Sequence, residues 1–194
     1  MKKSLINSVL SIIGIVAFCI VLTPRLSAAQ DAASPEQQKV IAAFTDRVKE
    51  YVKLREKIEE AMPNLSKEAK PEEIEAHKKA FQEKVRTART GAKPGDLFTP
   101  DITRHIRATI KGAFKGKDLK ELRETVLEAE TKGVPVRVNY PYPPSKETVE
   151  MPPTLLLVLP ELPKQMRYRY VGHQLLLVDR ENGLIVDYML DALP

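Results

Sequence analysis

The stretch from Met166 to Met189 constrains this chain more than any other, because its side-chain pattern fits only one kind of local fold. From Met166 to Val171, Tyr168 and Tyr170 alternate with Arg167 and Arg169. That period of two puts aromatic rings on one strand face and guanidiniums on the other. Gly172-His173 supplies a two-residue turn, with glycine free to take the positive φ that other residues resist. Gln174 to Asp179 is apolar on both faces, Leu175 and Leu177 pointing one way and Leu176 and Val178 the other, as in a central strand covered on both sides. Asn182-Gly183 is a strong hairpin signal, and Leu184 to Met189 follows as a third strand. The meander predicts structure but contains no chemistry.

Four helices are expected ahead of it. Ser34-Pro35-Glu36-Gln37 carries an N-cap, a proline at the first helical position and a capping-box glutamine. The helix it opens should reach about Met62, where Pro63-Asn64 stops it. Ile41, Phe44, Val48, Val52 (or Tyr51), Arg55, Ile58 and Met62 form its apolar stripe, with Arg55 the one charged member, its stem expected to lie along the surface. A second helix follows Pro71 and ends near Thr90 before Gly91, with Ile74, Phe81, Val85 and Ala88 inward. Gly91 to Phe98 reads as a loop. Thr99-Pro100-Asp101 starts a third helix by the same cap logic, with Ile102, Ile106, Ile110 and Phe114 on one face and Gly116 as its break. Asp118 caps a fourth, Leu119 to about Thr131, with Leu122, Val126 and Leu127 inward and Gly133 at its end.

Beyond Gly133 the composition changes. Val134 to Asn139 alternates like a strand, and eight prolines between Pro135 and Pro163 exclude a long helix. Leu155 to Leu159 is an unbroken apolar run, read as a short buried helix or a buried strand, with the preceding Pro152-Pro153 favouring the helix. The expected fold is therefore α+β: a helical region over 30–133, then a proline-rich segment and small antiparallel meander over 134–194, packed as one compact unit.

Residues 1–29 have the make-up of a signal peptide. Lys2-Lys3 precedes an apolar run from Val9 to Leu22, and Ser27-Ala28-Ala29 offers the small residues of a cleavage site. The other reading of this segment is a retained membrane anchor, since Leu5 to Leu22 approaches spanning length. Lys2, Lys3 and Arg25 lie in the leader, which has no acid, so a mature chain would hold 28 bases and 26 acids, a net charge near +2. Such a balance exerts little global pull on nucleic acid. Cys19 is the only cysteine, so a mature chain would have no thiol and would rely on its packed core.

Motifs of catalysis and metal binding are sparse. His77, His105 and His173 show no metal-ligand spacing; Glu73 and His77 share a helix face but make half a site at most. Nucleophile elbow, phosphate loop and zinc-protease motif are all missing. The carboxylates fall among lysines on helical faces, where salt-bridged or solvated groups are the norm. One asymmetry remains. From Arg86 to Lys120 nine bases face three acids, and Arg104, Arg107, Lys111 and Lys115 follow helical spacing opposite the isoleucines. This ribbon reads either as a solubilising face or as a surface for anionic headgroups, an acidic protein or a polyanion. Stacking aromatics are few there, which argues against single-stranded nucleic acid.

Two resemblances add to this reading. The order Ala88-Arg-Thr-Gly-Ala-Lys-Pro-Gly-Asp-Leu-Phe-Thr-Pro100, Val138-Asn-Tyr-Pro-Tyr-Pro143, Met151-Pro-Pro-x-Leu-Leu156, Leu159-Pro-x-Leu-Pro163 and Tyr168-Arg-Tyr-Val-Gly172 resembles a family of exported bacterial proteins of unknown function. The tail, Tyr168-Arg-Tyr-Val-Gly-His-x-Leu-Leu-Leu-Val-Asp179 through Gly183 to Asp187, is similar to the closing β-module of periplasmic RcnB-type nickel/cobalt homeostasis proteins. The chain lacks the histidine-rich composition of a metal role, so no metal ligands carry over.

The expectation is thus an exported protein of the periplasm or outside the cell. It is non-catalytic, needs no cofactor, and binds a protein or an anionic envelope component. Membrane contact would come through an uncleaved leader or the basic helix face. Periplasmic nickel or cobalt homeostasis is the alternative function, and an unrecognised hydrolase the next.

Overall fold

The computed structural model describes residues 34–114, 117–128, 135–143 and 148–193. The leader with its expected cleavage point, Lys115, Gly116, and the expected end of the fourth helix at Thr131–Gly133 lie outside the described residues. The architecture is α+β, as expected from the sequence. Helices α1 (Pro35–Glu60), α2 (Pro71–Ala88), α3 (Pro100–Ala113) and α4 (Lys117–Glu128) precede β1 (Val149–Glu150), a short α5 (Pro153–Leu156), β2 (Met166–Val171), β3 (Gln174–Asp179) and β4 (Ile185–Met189). The strands form one antiparallel sheet in the order β1-β2-β3-β4.

The local signals explain most of these boundaries. Ser34 accepts from the Gln37 amide at 3.2 Å, and the Gln37 side chain accepts from the Ser34 amide at 2.7 Å, so the capping box is complete. Gly91 ends α2 with φ +88°, and Gly172 and Gly183 take φ +53° and +64° in the two hairpin turns. Thr99 departs from expectation: its side chain makes no cap bond, and the neighbouring tie is Thr103 Oγ1 donating to the Phe98 carbonyl at 2.9 Å.

Tyr168, Tyr170, Leu175 and Leu177 face the helices, where they join Phe44, Val48, Phe81, Val85, Ile102, Ile106, Ile110 and Val126 in the main core. The opposite sheet face buries Val171, Leu176, Val178 and Ile185 beneath Tyr142 and Val136. Leu176 and Leu177 are both fully buried, so β3 is covered on both sides as its double apolar pattern requires. The cover on the second face is not a strand. Of the expected strand over 134–139, residue 134 lies outside the described residues, and 135–139 form an irregular segment in which Asn139 adopts φ +64°. Among the described residues, the Pro141–Leu184 bridge and the Asn139 amide, which donates to the Ile185 carbonyl at 2.7 Å, tie that segment to the sheet.

Two further expectations are corrected. Ile74 and Ala88, placed on the inward stripe of α2, are exposed, because only the middle turns carrying Phe81 and Val85 pack inward. The run Leu155–Leu159 does open a short helix at Pro153, but only its ends, Leu155 and Leu159, are buried. Leu156, Leu157 and Val158 face outward.

Candidate functional site

Two buried carboxylates join the sheet to the helices, and both are occupied by that task. Asp179, at the end of β3, accepts from Arg55 Nε at 2.9 Å and from the Tyr51 hydroxyl at 3.1 Å through Oδ2. Its Oδ1 accepts from the amides of Glu181 and Asn182 at 3.2 and 3.1 Å, which shapes the β3–β4 turn. Arg55 does not lie along the surface as its amphipathic stem led us to expect. It is 3 % exposed, and its guanidinium also pairs with Glu59 at 2.7 Å and with Glu181. Burial first, and then the Asp179 charge, hold the Tyr51 phenol well above its ordinary range.

Asp187, on β4, accepts from the amides of Gly95, Leu97 and Phe98 at 2.9, 2.7 and 2.8 Å and so holds the α2–α3 loop. Burial raises its pKa, and these amides with that of Tyr188 act in the opposite direction. The pairing of β3 with β4 shifts by one residue between Leu177 and Val178, which leaves Val186 out of the register. The Val186 carbonyl accepts instead from Arg89 Nη1 at 3.0 Å, and the same nitrogen donates to Asn139 at 2.6 Å.

The basic face of α3 is only partly free. Arg104 is exposed and pairs with Asp101 at 3.2 Å. Arg107 donates to the backbone carbonyls of Asp191 and Leu190 at 2.8 and 2.6 Å, so its guanidinium holds the C-terminal segment against α3. Lys111 is exposed, and Lys115 lies outside the described residues. The histidines lie on three different elements. His77 Nε2 lies 3.1 Å from the Pro63 carbonyl, while Glu73 accepts from the Lys70 amide at 2.9 Å instead of facing it. His105 is half-buried, which lowers its pKa, and His173 sits in the β2–β3 turn. Among the described residues, no group of three or more His, Cys, Asp or Glu is placed to hold a metal ion.

A different cluster of bases surrounds a cleft of about 300 Å³ lined in part by Glu150, Met151, Leu156, Glu161 and Leu162, and by Lys164, Arg167, Arg169 and Arg180. Met166, Arg167, Tyr168 and Arg169 all reach its wall. Consecutive strand residues point to opposite faces, so their joint presence places the cleft at the edge of β2 and not on either face. The edge is open because β1 pairs only with Arg169 and Tyr170 before Pro152 and Pro153 end it.

Four cations and two carboxylates line the opening. Arg169 donates to Glu150 at 2.6 Å. Burial lowers the Arg169 pKa, and the nearby Arg167 and Arg180 guanidiniums lower it further, while Glu150 opposes them. Arg167 Nε is buried and finds no partner among the described residues. Lys164 and Arg180 are exposed at the rim. Arg167 and Arg169 were legible in the sequence as the polar face of β2. What the sequence did not show was that β1 would stop after two residues and leave them beside an open edge. Comparison with protein-family models, with curated proteins and with solved structures finds no match for this chain.

Proposed function

We propose that this chain is an exported, non-catalytic protein of the cell envelope that binds an anionic partner in the cleft beside β2. The observation that carries the reading is the convergence of Lys164, Arg167, Arg169 and Arg180 on one concavity, against Glu150 and Glu161. A lone exposed charge contributes little, since surface ion pairs are worth about 0–1 kcal/mol. Several like charges in a concave wall act together, because the low-dielectric surroundings focus their field on whatever enters. Guanidiniums also match the paired oxygens of carboxylate, phosphate and sulfate groups, as a lysine ammonium does not. The same charges serve the fold by discouraging another strand from pairing with the open edge.

Export is supported by the leader pattern of residues 1–29. No helix among the described residues is long and apolar enough to cross a membrane. A non-catalytic role is supported by the engagement of Asp179 and Asp187 in structural bonds.

The test is retention on immobilised heparin, used as a generic polyanion, for the wild type and for Lys164→Glu/Arg180→Glu. Both positions are exposed, so folding should hold. The double variant should elute at clearly lower salt, and the difference should shrink as salt rises. Equal elution would remove the cleft from consideration.

A further inference from the structure

Beside the cleft stands a turn built from the run Leu155–Leu159. Leu155 and Leu159 are buried and anchor it, while Leu156, Leu157 and Val158 are 53, 86 and 47 % exposed. Three consecutive aliphatic side chains facing water from one tight turn are unusual on a protein surface, where scattered apolar residues are the norm. The turn is rigid. Pro152, Pro153 and Pro160 bound it. The amides of Leu155 and Leu156 bond to the Pro152 carbonyl at 2.9 and 3.2 Å, and those of Val158 and Leu159 to the Leu155 carbonyl at 3.1 and 2.9 Å. Amides satisfied within the turn remove much of the penalty a loop meets on entering an apolar medium. Leu156 belongs both to this ridge and to the wall of the basic cleft, so the two features are continuous.

We propose that the ridge and the cleft together form a peripheral contact for a bilayer bearing anionic headgroups. Leu156, Leu157 and Val158 enter the headgroup–acyl boundary, and Lys164, Arg167, Arg169 and Arg180 meet the phosphates above them. This rests on the anion-binding reading of the cleft and adds the identity of the partner. Charge complementarity selects an anionic surface, and the shape selects a bilayer. The ridge is aliphatic, without the Tyr or Trp anchors enriched in protein interfaces. A bilayer needs no complementary pocket to receive it. Each base held near an anionic membrane strengthens partitioning by about fivefold, and each inserted aliphatic side chain by about tenfold. Neither group suffices alone, as is usual for surface-bound proteins that use apolar insertion with a basic patch.

The chain contains no tryptophan, so Leu157→Trp supplies a single fluorescent reporter at the most exposed position of the ridge. It reads insertion locally, whatever the leader does. With phosphatidylcholine vesicles containing phosphatidylglycerol, emission should shift to the blue and be quenched by lipids brominated in the acyl chain. With phosphatidylcholine alone it should not. Adding Lys164→Glu/Arg180→Glu should weaken vesicle binding by at least tenfold. An unshifted spectrum on anionic vesicles overturns the bilayer proposal, and if heparin retention still depends on Lys164 and Arg180, the anion-binding reading survives it. If charge reversal changes neither vesicle binding nor heparin retention, both fail.

Discussion

Replacing Asp179 by alanine should be the most damaging single change in the sheet that leaves every apolar contact in place. The substitution removes the acceptor of Arg55 Nε and of the Tyr51 hydroxyl, and the acceptor of two amides in the β3–β4 turn. Breaking a buried pair by deleting one partner costs about 3–5 kcal/mol, because the remaining charge stays buried. Glu59 and Glu181 still face Arg55, which moves the ion-pair loss toward the lower end. The lost turn bonds add about 1 kcal/mol. A total of about 3–5 kcal/mol is a large part of the 5–15 kcal/mol by which most domains are stable. It corresponds to a fall in Tm of roughly 6–20 °C for a chain of this size. Urea melts of wild type, Asp179→Ala, Arg55→Met and the Arg55→Met/Asp179→Leu double variant measure it. The double variant should recover much of the loss, since apolar replacement of a whole buried pair is often neutral. If Asp179→Ala melts within about 1 kcal/mol of wild type, the account of how α1 is held to the sheet is wrong.

Burial holds the phenols of Tyr51, Tyr168 and Tyr170 protonated above their ordinary range. The unfolded chain therefore releases protons above about pH 10 that the folded chain keeps, and stability present below that pH should fall above it by up to about 1.4 kcal/mol per pH unit for each tyrosine. The Tyr170 hydroxyl finds no partner among the described residues, so Tyr170→Phe should leave neutral stability unchanged or higher and reduce the alkaline slope; a loss above about 1 kcal/mol would contradict this. On α3, Arg107→Ala should cost about 1 kcal/mol by releasing the exposed carbonyls of Leu190 and Asp191 to water, whereas Lys111→Ala should change stability by clearly less; equal effects would return Arg107 to the solvated face. If the chain is exported as proposed, the intact mass of the processed protein should begin at Gln30, and a mass retaining Lys2 and Lys3 would mean an uncleaved leader.

The hairpins were legible because their signals are local. Period-two alternation, Gly172-His173 and Asn182-Gly183 act within a few residues, and β2, β3 and β4 fall where those signals put them. The Ser34–Gln37 capping box is legible for the same reason. Tertiary partners were not. Helical spacing places Arg55 on the inward stripe, but its partner Asp179 lies 124 residues away, and no local pattern links them. The Asp187 side chain likewise bonds to amides about 90 residues distant. For Leu155–Leu159, apolar composition implied burial, although burial depends on a cover that the chain supplies only at the two ends. The cleft escaped detection because it depends on where a strand stops. Met151-Pro152-Pro153 was the available signal, since prolines in a row cannot continue an edge strand.

The most direct measurement follows the arginine side chains themselves. A nitrogen–proton NMR spectrum of the Nε groups, recorded while a soluble heparin fragment is added at physiological salt, reports each guanidinium separately. Arg167 and Arg169, which both line the cleft, should shift together and saturably. Arg55 and Arg89, held inside the fold, should not move. Movement confined to Arg104 and the α3 face, or no movement at Arg167 and Arg169, would contradict the assignment of the cleft as the anion-binding site.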